Sequence, residues 1–182
     1  MATLIQKGNS RTSSGQTSSD RTSSGQIDLP ATIISLSEDE TFALGERLAP
    51  MLVKGDVVAL KGPLGAGKTC FTKGLARGLG VEEEPTSPSY AIISEYECFI
   101  LNEKVPVYHI DAYRLGGDDE FSAIGGEEIV FGNGISIVEW SERVPNFIPP
   151  GAYKVEFEIL EDNKRRVRLI LTQAELSGVS TG

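Results

Sequence analysis

The feature that most constrains this chain is an octapeptide, Gly62-Pro63-Leu64-Gly65-Ala66-Gly67-Lys68-Thr69, which fits the pattern G-x-x-x-x-G-K-[ST] at every fixed position. Glycines in such a loop let the backbone curl with its N–H groups pointing inward at phosphate oxygens. Lys68 would reach the β- and γ-phosphates of a nucleotide, and the Thr69 hydroxyl would bind Mg²⁺. The candidate nucleotide-binding residues extend one position further, to Cys70.

The segments on either side of this loop have the context that the motif requires. Residues 56–61 are a near-continuous apolar run, which is typical of a buried parallel strand. Residues 68–79 are predicted to be helical, with Phe71, Leu75 and Leu79 on one face. A strand before the loop and a helix after it favour a phosphate-binding loop over a glycine-rich turn that binds nothing.

The remaining pattern predicts an α/β fold, a mostly parallel sheet flanked by helices with antiparallel hairpins added to it. A capping box at Ser37 and Glu40 predicts a helix over 38–49, which Pro50 ends weakly. Strands are predicted at 32–36, 90–96, 105–110, 135–139, 153–159 and 166–171, with turns at 102–104 and 161–164 and helical turns at 120–124.

The first 27 residues differ from the rest in composition. They repeat Arg-Thr-Ser-Ser-Gly-Gln at 11–16 and 21–26 and carry a local charge of +2, whereas the whole chain of 182 residues carries −9. Because such a segment has little to bury, residues 1–27 are predicted to be a disordered tail and 28–182 one folded domain. A Ser- and Arg-rich start also resembles an organellar transit peptide.

Composition excludes several classes of protein. An acidic chain is a poor match for nucleic acid, so little or no direct nucleic-acid binding is expected. The apolar runs are too short for a transmembrane helix, and no secretory signal is seen. One histidine and two cysteines, Cys70 and Cys98, are too few for a metal cage or a disulfide scaffold. We therefore expect a cytoplasmic protein with ordinary buried thiols and no membrane contact.

Two acids stand where predicted strands end, Asp111 and Glu139. Ligands in open α/β sheets bind at that edge, so both are candidate catalytic and metal-holding groups beside Lys68 and Thr69. The sequence leaves open which acid would touch Mg²⁺ directly and which through water. A solvated surface carboxylate is the alternative for each.

Further candidate site residues lie outside the loop and the strand ends. Thr86, Ser87 and Ser89 surround Pro88 and would form a switch that senses the γ-phosphate, or else a plain entry into a strand. Arg114 and Arg143 would steady phosphate or a partner, or form surface ion pairs. His109 is expected to pack within its strand.

These motifs, in this order, resemble one family closely: TsaE (YjeE), the P-loop ATPase of bacterial tRNA threonylcarbamoyladenosine (t6A) biosynthesis. The resemblance covers about residues 31–171, and its most specific strings are His-Ile-Asp-Ala-Tyr-Arg-Leu at 109–115 and Glu139-Trp140. It implies a P-loop NTPase-like fold, ATP and Mg²⁺ as cofactors, and the TsaD and TsaB proteins as partners. It also implies that Trp140 packs beside the nucleotide and that Thr86 to Ser89 act as the switch.

The chain departs from the family pattern at Cys70, Ser89, Ala112 and Ser141. Lys68, Thr69, Asp111 and Glu139 are not among these positions. A small-molecule P-loop kinase is the main alternative function, but an Arg-rich lid is missing between Asp111 and Glu139. A GTPase would need Asn-Lys-x-Asp, and Asn163-Lys164 is followed by two arginines instead.

Overall fold

The computed structural model describes residues 27–83 and 92–171 of the chain. The predicted switch residues Thr86, Ser87 and Ser89 lie outside these ranges, as does the predicted tail except for Ile27, which is buried in the core. The elements are β1 (Ala31–Ser35), α1 (Glu38–Leu48), β2 (Val57–Lys61), α2 (Lys68–Gly78), β3 (Ile93–Ile100), β4 (Glu103–Asp111), α3 (Asp118–Ala123), α4 (Gly126–Val130), β5 (Ile135–Glu139), β6 (Tyr153–Ile159) and β7 (Arg165–Leu171).

The described strands form one seven-stranded sheet in the order β1-β7-β6-β2-β5-β4-β3. Its four central strands, β6, β2, β5 and β4, are mutually parallel. Antiparallel pairs complete both edges, β3 beside β4 on one side and β7 between β6 and β1 on the other. The predicted α/β fold with antiparallel additions is confirmed, and the carboxyl ends of β2, β4 and β5 meet at one edge of the sheet.

Helices cover both faces of this sheet. Successive side chains of a strand point to opposite faces, and β2 illustrates the result: Val58 packs in the core that contains α1 and α2, whereas Val57 packs in the core that contains α3 and α4. The same alternation in β5 places Ile137, and therefore Glu139, on the α2 side. The site described below lies on that face.

Two local predictions need correction. Helix α1 ends at Leu48, and Pro50 lies in a 3₁₀ turn over Ala49–Met51 that continues from it. A proline is tolerated in the first turn of a helix, because its missing N–H would have no partner there. The hairpin between β3 and β4 turns at Leu101 and Asn102, one residue earlier than predicted. Both have positive φ, 51° and 65°, as a tight two-residue hairpin turn requires.

Among the residues that the structure describes, none of the helices combines the length and the apolar character needed to cross a bilayer.

Helices α1 and α2 cross in close contact because glycines lie at the crossing. A Cβ atom built on Gly74 would lie 1.9 Å from the carbonyl oxygen of Phe42, and one on Gly45 would lie 2.2 Å from that of Phe71. Backbone atoms cannot move aside as a side-chain end can. The absence of side chains at these positions therefore sets the position of α2, and with it the loop that precedes the helix.

We expect Gly74→Ala to destabilise the fold although alanine is the better helix former. The helical gain is about 1 kcal/mol, whereas overpacking a tight contact costs about 1–3 kcal/mol and sometimes more. The net change should lower Tm by several degrees, measured by thermal denaturation followed by circular dichroism. Gly151→Ala is the matched control, because a Cβ there meets nothing within 4 Å. An unchanged Tm for Gly74→Ala would contradict the close crossing.

Candidate functional site

The loop between β2 and α2 adopts a conformation that depends on its glycines. Gly62, Gly65 and Gly67 have φ values of +147°, +75° and +101°, all in the region that L side chains rarely adopt. At Gly62 a Cβ would also lie 2.6 Å from the carbonyl oxygen of Phe157. The strand and the helix predicted on either side of the loop are present, and helix α2 begins at Lys68.

The Lys68 side chain folds back over the loop. Its Nζ donates to the carbonyl oxygens of Gly62 (2.7 Å) and Pro63 (2.9 Å) and lies 3.7 Å from the centroid of the Trp140 ring. Burial lowers the pKa of this amine, and the carboxylates of Glu139, Glu142 and Asp111 oppose that effect. The ammonium group is thus held at the loop, with carbonyl oxygens and an aromatic face as its partners.

Glu139 is at the centre of the buried polar network behind the loop and is only 3% exposed. Its Oε2 accepts a hydrogen bond from the Thr69 hydroxyl at 3.0 Å. Its Oε1 lies 3.1 Å from the Thr72 hydroxyl, which donates to it, and 2.9 Å from Nε2 of His109. Side chains from β4 and α2 therefore converge on one carboxylate, which β5 supplies.

Asp111 ends β4 as Glu139 ends β5, and the two residues are register partners in the parallel pair. The Asp111 carboxylate is less buried, and its Oδ1 accepts a hydrogen bond from the backbone N–H of Tyr113 at 3.1 Å. The two acids predicted from the strand ends are thus adjacent at the carboxyl edge of the sheet. Asp111 also helps to shape the turn that follows its own strand.

Trp140 directly follows Glu139 and has a strained backbone for a tryptophan, with φ of 57°. Its ring contacts both Lys68 and the ring of Tyr113, whose centroid is 4.8 Å away. The Arg143 guanidinium lies 5.4 Å from the Tyr113 ring. Such backbone strain occurs where surrounding contacts over-determine a conformation, often at functional sites.

A cavity of about 450 Å³ opens in front of this network. It is lined by Glu38, Thr41, Leu64, Gly65, Ala66, Gly67, Lys68, Thr69, Cys70, Asp111, Tyr113, Arg114, Glu139, Trp140 and Arg165. The predicted site residues from Leu64 to Cys70 and both acids are therefore brought together, as is Arg114. Arg143 is held instead by the Leu115 carbonyl oxygen, at 3.0 Å, and by the Tyr113 ring.

Several residues of the site escape sequence reasoning, among them Arg165, Thr72 and the contact of His109 with Glu139. Arg165 lines the cavity from β7, about 100 residues after the loop in the sequence. From the sequence alone it is only a residue at the turn of a predicted hairpin. Thr72 lies one helical turn after Thr69, on the same face of α2. His109 is buried in its strand as predicted, but it also bonds Glu139; its spacing of two residues from Asp111, on one face of β4, was the available signal.

The donor set at the edge of the sheet suits a hard cation. The Thr69 hydroxyl, the Glu139 carboxylate and the Asp111 carboxylate all offer oxygen, the ligand that Mg²⁺ prefers. Over residues 27–83 and 92–171, no group of three or more His, Cys, Asp or Glu side chains is placed to enclose a metal. Mg²⁺ usually keeps several waters and takes only one or two carboxylates beside substrate phosphates, so an open site of this kind fits it.

A family model described as Threonylcarbamoyl adenosine biosynthesis protein TsaE matches residues 35–168, which include the loop and both acids. The chain belongs to the TsaE family. Among curated TsaE proteins it is 39% identical over 134 residues to that of Treponema pallidum, covering 74% of this chain and 96% of the relative. The Bacillus subtilis relative is 36% identical over 133 residues, covering 73% and 80%.

A solved structure agrees with this assignment. The crystal structure of Bacillus subtilis YdiB superposes on this chain with a TM-score of 0.61 at 32% identity, covering 78% of this chain and 85% of that one. The resemblance to TsaE stated from the sequence is confirmed. The TsaE fold here is thus an α/β P-loop fold whose loop, acids and tryptophan lie around one cavity.

Proposed function

We propose that this chain is a Mg²⁺-dependent ATPase of the tRNA threonylcarbamoyladenosine (t6A) modification machinery and acts in the cytoplasm with TsaD and TsaB. The observation that carries the proposal is the convergence of Lys68, Thr69 and Glu139 at one phosphate-binding loop. The curated relatives are named tRNA threonylcarbamoyladenosine biosynthesis protein TsaE, which supplies the pathway.

In this proposal the loop binds the triphosphate of ATP. Its backbone N–H groups and the N-terminus of α2 meet the phosphate oxygens, and Lys68 exchanges its two carbonyl partners for the β- and γ-phosphates. Leu64, Gly65, Ala66, Gly67 and Cys70 form the wall of that site. Gly62 and Pro63 complete the loop and supply the carbonyl oxygens that now hold Lys68. Trp140 packs against Lys68 and so limits where the ammonium group can move.

The metal would be held by Thr69 and Glu139, whose oxygens are already in contact, with Asp111 beside them. When bound, Mg²⁺ would neutralise charge on the phosphate oxygens. Glu139 is fixed by three hydrogen bonds, whereas Asp111 is more exposed. We therefore assign Glu139 to the metal and Asp111 to positioning water.

TsaD and TsaB enter the proposal through the resemblance, with ATP turnover resetting their complex between cycles. The switch role of Thr86, Ser87 and Ser89 remains part of the same proposal. The chain has a net charge of −9, which favours binding to a protein partner over direct binding to tRNA phosphates.

We expect the purified chain to hydrolyse ATP slowly alone, only with Mg²⁺, and faster when TsaD and TsaB are added. Turnover is measured as phosphate release with each component omitted in turn, and GTP replaces ATP in a parallel series. Association is measured by pull-down of TsaD and TsaB with and without ATP, with Lys68→Ala as the control for nucleotide dependence. Failure to associate, together with phosphorylation of a small acceptor, would favour a P-loop kinase instead.

A further inference from the structure

His109 is a buried side chain with one ring nitrogen engaged and the other not. Its side chain is 1% exposed, and Nε2 lies 2.9 Å from Oε1 of Glu139. Because a carboxylate oxygen accepts, Nε2 carries the hydrogen and donates it. The other nitrogen, Nδ1, is buried and has no hydrogen-bond partner among the described residues.

An imidazole in this state is not the side chain that stability alone would select. A buried polar atom without a partner costs folding free energy, and an apolar side chain of similar volume would avoid that cost. The two preceding positions on the same face of β4 are apolar, Val105 and Val107. The presence of a histidine is therefore explained by the group that its Nε2 holds.

That group is one specific oxygen of Glu139. Oε1 accepts hydrogen bonds from His109 of β4 and from Thr72 of α2. Oε2 accepts a hydrogen bond from Thr69 at the loop. A glutamate side chain has several rotatable bonds and loses rotamer freedom when it is fixed. Two donors on one oxygen fix the carboxylate plane and so leave the second oxygen directed at Thr69.

We propose that His109 is a positioning residue, whose Nε2–H holds Oε1 of Glu139 so that Oε2 stays beside Thr69 on the nucleotide side. This inference rests on the proposed function of Glu139 and adds the residue that orients it. His109 stands behind Glu139 and is not among the residues that line the cavity. It therefore acts on turnover through Glu139 and leaves the binding of ATP itself unchanged.

Three substitutions separate positioning from packing. His109→Leu fills the space without a donor, His109→Asn places an amide near the position of Nδ1, and His109→Gln places an amide N–H near the position of Nε2. We expect kcat to fall about 10–100-fold in the Leu and Asn variants, the range typical of lost outer-shell partners. The Kd for ATP should stay within about twofold, and His109→Gln should recover much of kcat. Thermal denaturation identifies the variants that fold.

Ser136→Ala is the matched control, since Ser136 is fully buried on β5 and its hydroxyl donates to the Ile129 carbonyl oxygen, at 3.4 Å, and not to Glu139. Its kcat should match wild type. Equal kcat in His109→Gln and His109→Asn, or a wild-type kcat in both loss variants, would overturn the positioning role.

A crystal structure of His109→Asn tests the inference without any activity. Loss of the contact between Glu139 Oε2 and Thr69 Oγ1, which is 3.0 Å in the native chain, is the expected result. Retention of that contact would overturn the inference. If wild type showed no Mg²⁺-dependent hydrolysis, the proposed function would fail, and this structure would still decide whether His109 orients Glu139.

Discussion

Replacing Lys68 by alanine is expected to abolish measurable ATP binding. The Lys68 ammonium now donates to two carbonyl oxygens of its own loop, so it is placed to donate instead to two phosphate oxygens. Each charge-assisted hydrogen bond is worth about 1.5–3 kcal/mol, and losing two weakens affinity by about 10²–10⁴-fold. Isothermal titration calorimetry with ATP and Mg²⁺ measures the change.

Lys61→Ala supplies the matched control for this experiment. Lys61 is exposed at the end of β2, directly before Gly62, and it carries the same charge. Removing it tests whether a general loss of positive charge near the loop weakens binding. We expect wild-type affinity for Lys61→Ala, and an equal effect of the two substitutions would refute a specific role for Lys68.

Replacing Glu139 by glutamine is expected to lower the rate of Mg²⁺-dependent ATP hydrolysis at least about 100-fold, since metal-based charge stabilisation is worth several kcal/mol. Glutamine keeps the size of the side chain but not its charge. It also turns one accepting oxygen into an N–H group, which would face either Thr69 or the donors His109 and Thr72. Phosphate release over a series of Mg²⁺ concentrations reports both kcat and the apparent Mg²⁺ affinity.

Two further acids make this prediction specific. Asp111→Asn should also slow turnover, but with a smaller effect on Mg²⁺ affinity, because the Asp111 carboxylate bonds the backbone N–H of Tyr113, whereas Glu139 bonds Thr69. Glu127→Gln removes the same charge at an exposed position of α4 that does not line the cavity, and it should behave as wild type. Wild-type turnover in both Glu139→Gln and Asp111→Asn would eliminate the proposed metal site.

Much of the fold follows from local patterns. The run at 56–61 and the glycines at 62–67 predict a strand and a break, and both are found because their causes are local: apolar continuity and backbone freedom. The hairpin of β6 and β7 is predicted by alternation alone. The predicted boundaries are wrong at Asn102 and Pro50, where the conformation of a single residue decides where a turn or a 3₁₀ segment lies.

The candidate site also has a part that local sequence predicts and a part that depends on tertiary contacts. The loop from Gly62 to Thr69 can be recognised in the sequence because its residues are contiguous and each has a local chemical reason. Asp111 and Glu139 can be selected as strand-end acids, but their adjacency depends on the register of β4 against β5. The role of His109 depends on that register and on the packing of α2, since Thr72 completes the contacts of the same oxygen.

The sequence by itself determined the fold class and selected the candidate phosphate-binding loop and the two candidate acids, because backbone freedom, apolar periodicity and strand ends are properties of short segments. Only the tertiary structure decided that His109 and Thr72 share one oxygen of Glu139, that the other oxygen faces Thr69, and that Arg165 reaches the cavity from β7. Those contacts join residues about 30–100 positions apart. Their geometry is set by strand order and by the glycine crossing of α1 and α2.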